Sequence, residues 1–99
     1  MIGEIAFMPV LKEFLRLNGV IYTVRKYRMV ERDVGIWGVG TCRRVPLGEV
    51  SSKEDLLPYI QLSGFDSVEA WWTKIRHFTP DKESTLYLYK VEVKSDGWW

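Results

Sequence analysis

The chain is poor in the residues that build disulfides and metal centres. It has one cysteine, Cys42, and one histidine, His77, in 99 residues. A lone cysteine excludes an internal disulfide and a cysteine-based zinc site, and a lone histidine excludes a histidine-rich metal centre. No metal and no cofactor are therefore expected. A net charge of +1 predicts no strong global attraction to nucleic acid or anionic lipid. No apolar run approaches the length that spans a bilayer, so no membrane partner is expected. Glu4 and Pro9 interrupt the first apolar run and no basic region precedes it, so no signal peptide is expected either. A cytoplasmic location follows, with Cys42 as a small buried strand residue.

A hydrophobic fraction of 46% and a charged fraction of 27% suit a folded globular domain. One core is expected, with residues 1–94 as a single domain and residues 95–99 as a short C-terminal tail. Charge is uneven along the chain. Residues 20–48 hold six basic and two acidic side chains, whereas residues 49–99 hold six basic and nine acidic ones. A basic half beside an acidic half suits an anionic ligand on one side.

The pattern predicts a short strand at 2–7, then a helix opened by Pro9 with Val10, Leu11, Phe14, Leu15 and Leu17 as its apolar side. Asn18-Gly19 should end that helix. A strand follows at 20–29, a charged turn at 30–33, and one or two strands over 34–50 curved by Gly35, Gly38 and Gly40. Those glycines resemble a phosphate loop only superficially, since no Lys-Ser/Thr follows them. Ser51 and Glu54 have capping-box spacing for a second helix, which Pro58 limits. Asp66 and Glu69 repeat that spacing for a third helix running to about Phe78, and Thr79-Pro80-Asp81 stops it. Residues 84–94 alternate strictly and form the clearest strand, with Tyr87, Tyr89, Val91 and Val93 on one face. The fold class is α+β, a small mixed β-barrel or sheet with two or three helices.

The most informative stretch is the strand after Gly19. Side chains two apart share a face, so Thr23 and Arg25 project together while Val20, Tyr22 and Val24 turn the other way. An arginine on a half-buried strand is costly unless something polar or anionic meets it. Thr23 both donates and accepts hydrogen bonds, and Arg25 offers a planar fork for phosphate or a base edge. Arg28, Arg43 and Arg44 would extend the basic surface, and Tyr22, Trp37 or Trp72 would supply stacking surface. Trp71 and Trp72 lie about 100° apart on their helix, so one should pack inward and the other at a boundary. His77 is expected as a cation or surface residue at a helix end. Trp98-Trp99 would be frayed, docked on the domain, or a contact through which two copies pair as a homodimer.

Three segments carry a family resemblance: Tyr22-Thr23-Val24-Arg25, Gly64 to Trp71 (GFDSVEAW), and Leu86 to Val93. Together with the order of elements over nearly the whole chain, they resemble the ASCH family, which has a PUA-like β-barrel. The resemblance implies RNA binding in a cleft beside the 20–28 strand, by RNA or by a nucleotide-containing ligand. Some small bacterial members hydrolyse acetylated cytidine with a lysine, a threonine and a glutamate. The family strand motif is K-T-x-T-x-R, in which Thr23 and Arg25 match, while Val20 and Ile21 stand at the lysine and first threonine. The family's acid falls near Ser63 or Gly64. Thr23 alone is a poor nucleophile, because its hydroxyl stays protonated at neutral pH. The expectation is therefore non-catalytic binding, with Thr23 the only weak catalytic candidate. A nucleoside-directed amidohydrolase is one alternative, and a small interaction protein using Trp98-Trp99 is another.

Overall fold

The computed structural model describes residues 3–4, 8–81 and 85–95. Pro9 sits in the first turn of α1 (Pro9–Asn18), where its missing N–H costs nothing. The helix ends at Gly19, whose φ of 79° lets its N–H turn back to the Leu15 carbonyl at 2.8 Å. Leu15 is fully buried, with Leu11 and Phe14 partly so, whereas Val10 and Leu17 face outward and leave the apolar stripe narrower than the sequence suggests.

Five strands make one sheet: β1 (Gly3–Glu4), β2 (Val20–Arg25), β3 (Arg32–Ile36), β4 (Gly40–Val50) and β5 (Leu86–Ser95). Their order is β1-β3-β4-β5-β2, with β1 parallel to β3 and the other four strands antiparallel. Among the described residues the ladder does not close, and β1 and β2 are its edges. The expected strand at 20–29 stops at Arg25, and residues 26–31 leave the sheet as a loop. The glycine-rich run resolves into a hairpin whose turn is closed by the Val39 N–H to the Ile36 carbonyl at 2.9 Å, with Gly38 at φ 85°. A register shift between Pro46 and Gly48 bends β4 farther on.

A 3-10 helix (Lys53–Leu62) and α2 (Val68–Phe78) complete the fold. Both caps sit one residue beyond the sequence expectation. The Asp55 carboxylate, not Glu54, accepts from the N–H groups of Ser51 and Ser52 at 2.8 and 3.2 Å. Ser67 Oγ, not Asp66, accepts from the Ala70 N–H at 3.0 Å. Side chains of either kind serve as N-caps, so the direction of chain entry decides between neighbours. None of the described helices is long and apolar enough to cross a membrane.

Two apolar clusters flank the sheet. Leu15 of α1 packs on Ile21, Val34, Ile36, Cys42 and Val91. On the other face Leu56, Val68, Trp71 and Ile75 pack on Val50, Leu86 and Leu88, with Tyr22 and Val24 at the margin. β5 is buried on both sides, which is why both registers of its alternation carry apolar side chains. Trp71 takes the inward place and Trp72 the boundary.

Candidate functional site

A cavity of about 970 Å³ lies beside β2. Met8 and Leu11 of the α1 end form one wall, Thr23 to Tyr27 another, and Phe65, Trp71, Lys74, Ile75, Phe78 and Thr79 a third. α1 covers one face of the sheet and α2 the other, so a cavity touching both must straddle the sheet's β2 edge. Gly64, in the turn before α2, packs closely against α1. Its φ is 86°, and a Cβ there would stand 2.7 Å from Leu11 Cδ2. No L side chain fits both conditions without displacement.

The lining is one-signed. Arg25, Lys26, Arg44 and Lys74 all reach the cavity, and no carboxylate lines it among the described residues. Thr23 is buried to 9% exposure, on the same sheet face as Arg25 and Arg44. β5 stands between β2 and β4, yet Arg25 and Arg44 affect one another across it, since both long side chains lie on the same sheet face. Burial lowers the pKa of the Arg25 guanidinium, and the neighbouring Arg44 lowers it further. Arg44 is lowered chiefly by its own burial. Both guanidiniums still carry their charge at neutral pH, so the cleft is a desolvated cationic site.

Arg44 and Tyr89 also fasten the loop that forms the cleft's rim. Arg44 Nη2 donates to the Val30 carbonyl at 2.9 Å. The Tyr89 hydroxyl donates to the Tyr27 carbonyl at 2.8 Å and accepts from the Met29 N–H at 2.6 Å. Arg44 Nε is buried without a hydrogen-bond partner among the described residues. Two exposed rings sit beside cations on opposite walls, Tyr27 with Lys26 at 5.8 Å and Phe78 with Lys74 at 5.4 Å.

Of the side chains singled out from sequence, Thr23, Arg25 and Arg44 meet in this cleft. The others stand elsewhere. Tyr22 points to the opposite sheet face and meets Tyr59 at 4.9 Å between ring centres. Trp37 is 75% exposed at the hairpin turn. Trp72 lies under the Arg76 guanidinium at 4.7 Å. Arg43 is held by Glu31 and Asp33 on the face away from α1. Arg28 lines a smaller cavity of about 340 Å³ at the β4 bend, with Pro46, Leu47, Gly48, Glu49, Tyr87 and Tyr89. Trp98 and Trp99 lie outside the described residues. Lys74 and Phe78 of α2, with Phe65 just before it, complete the cleft from a region distant in sequence, and only the four-residue spacing that puts Lys74 and Phe78 on one helix side hints at it.

Neither Asp66 nor Glu69 lines the cleft beside Thr23. Among the described residues no trio of His, Cys, Asp or Glu is placed to hold a metal ion. Burial pushes the Cys42 thiol up to about 11, which makes it unreactive near neutral pH. Compared with family models, curated proteins and solved structures, the chain matches none of them.

Proposed function

We propose that the cleft beside β2 binds RNA or a nucleotide-containing ligand without catalysing its conversion, in a cytoplasmic protein whose sheet is of the PUA-like barrel type. The observation that carries this reading is the lining: four cations, no carboxylate among the described residues, and aromatic faces beside two of the cations. Phosphate needs concentrated positive charge, and a base needs a flat apolar surface. Arg25 and Arg44 would meet phosphate where water competes least, with Thr23 donating beside them. Tyr27 and Phe78 would offer their faces to a base. The cavity's size suits a ligand of nucleotide dimensions or the end of a strand. The cleft offers Thr23 no carboxylate or imidazole as a base among the described residues, which favours binding over hydrolysis.

The test is titration of the protein's tryptophan fluorescence with single-stranded RNA and nucleoside 5′-monophosphates at low and physiological salt, with Arg25→Ala in parallel. Binding should weaken as salt rises, and Arg25→Ala should lower affinity by about tenfold to a hundredfold, the value of one charged hydrogen bond. Absence of binding by every probe at low salt would overturn the reading.

A further inference from the structure

Three consecutive strand residues, Thr23 to Arg25, touch the cavity. In a strand, consecutive side chains point to opposite faces, so a cavity on one face meets only alternate residues. Val24 makes the conflict specific. Its side chain joins the apolar cluster under the 3-10 helix and α2, on the face opposite Thr23 and Arg25. Trp71 and Ile75 of that cluster line the cavity too, so the cavity wraps the β2 edge from one face to the other, and the main chain of that edge lies within its span.

The register fixes which main-chain groups point outward. The Val93 N–H donates to the Gly19 carbonyl at 2.8 Å, which makes Gly19 and Val93 a hydrogen-bonded pair just before β2 begins. Such pairs alternate along an antiparallel ladder. Ile21, Thr23 and Arg25, opposite Val91, Tyr89 and Tyr87, therefore turn their N–H and C=O toward β5. Val20, Tyr22 and Val24 turn theirs away from it. Of these three only Val24 lines the cavity. Among the described residues its outward N–H and C=O bond to no other group.

We propose, resting on the nucleotide reading above, that the outward N–H and C=O of Val24 recognise the hydrogen-bonding edge of a nucleobase in the cleft. One residue of an edge strand presents a donor and an acceptor side by side in one plane. Every nucleobase carries the complementary pair on its Watson–Crick edge, such as N6–H with N1 of adenine or N3–H with O4 of uracil. The cations stand beside the same edge, so a 5′-monophosphate has charge partners while its base meets the strand. An added peptide strand would need Tyr22 and Val20 as well, and neither lines the cavity.

Amide hydrogen exchange and ligand comparison test this together on the full chain. Without ligand, the Val24 and Tyr22 amides should exchange at least about tenfold faster than those of Thr23 and Arg25, which lie in the ladder. Saturation with AMP or UMP should slow Val24 by about tenfold or more and leave Tyr22 unchanged, since Tyr22 lies outside the cavity. N6,N6-dimethyl-AMP and N3-methyl-UMP keep the phosphate and the ring but lose the edge donor, and should bind about tenfold or more weaker than their parents. Ribose 5-phosphate should bind weaker still. Nucleotides that bind with Val24 unprotected, or that tolerate methylation, would overturn main-chain recognition and leave nucleotide binding standing. Failure of all these ligands and of RNA to bind would overturn both.

Discussion

Arg43 and Arg44 are consecutive residues of β4, and strand alternation sends them to opposite faces of the sheet. Arg43 donates to Glu31 and Asp33, and Asp33 also accepts from Lys94 at 3.1 Å. Two cations there meet two carboxylates on a half-open surface. Arg44 is 7% exposed, donates to a main-chain carbonyl, and shares its cleft with Arg25. The first site has its charge cancelled by carboxylates, and the second has none among its described lining residues. A tally of basic residues over 20–48 counts the two alike. What separates them is whether a carboxylate lies opposite in the ladder, as Asp33 does for Arg43, whereas Arg44 faces Arg32.

The largest effect should come from breaking the cleft side alone. Gly64→Ala combines a positive φ with a methyl that displaces the end of the Leu11 side chain, and should destabilise the protein by about 1–2 kcal/mol, chiefly through the backbone strain. Chemical denaturation measures it, and an unchanged midpoint would mean that α1 yields at that contact. Next, Arg44→Met should lower affinity for nucleotides by about tenfold to a hundredfold, while Arg43→Met keeps it within about twofold. Equal losses in the two variants would erase the distinction drawn between them. Arg44→Met should change stability by no more than about 1 kcal/mol, because loss of the bond to Val30 is offset by removal of a desolvated charge. Tyr89→Phe removes both of its hydrogen bonds to the rim loop, leaving the one from Arg44, and should cost about 1–2 kcal/mol, with faster exchange of the Met29 amide.

The smallest effect belongs to the paired side. Hydrogen bonds from Lys94 and Arg43 hold the Asp33 carboxyl below its ordinary pKa. The folded state therefore favours its ionised form. That contribution is fully present above about pH 5 and is lost as pH falls through the lowered native value, below about 4. Asp33→Asn should lower the Tm by about 2 °C or less near neutrality and converge with the unaltered protein in acid. A constant difference across the pH range would contradict the pairing.

Much of the frame was legible because it rests on local pattern. Pro9 and Gly19 mark the ends of α1, and the alternation of 84–94 announces β5. Thr23 and Arg25 were placed on one face by spacing alone. The rest of the cleft depends on contacts distant in sequence. Lys74 and Phe78 share a cavity with Arg25 only through the tertiary placement of α2, and no local signal states which helix side does so. Alternation separates Arg43 from Arg44 but does not say which faces inward. The hairpin register answers that, and it follows once the turn is placed at Trp37–Val39. Trp37 misled because an aromatic beside glycines suits a cleft wall as well as a turn tip.

The place of β5 bears on how the molecule is made. It is the last described strand, yet it lies between β4 and β2 and holds both. A nascent chain on the ribosome has made α1, β2 and the β3–β4 hairpin well before residues 86–95 emerge. Until then β2 has no hydrogen-bonding partner in the sheet, and the cleft residues it carries, Thr23 to Arg25, have no fixed place beside Arg44. Sheet closure across so long a stretch of chain is slow. The unpaired β2 and β4 are meanwhile open to wrong partners, so the binding site and the protection from aggregation arrive in one late step of synthesis.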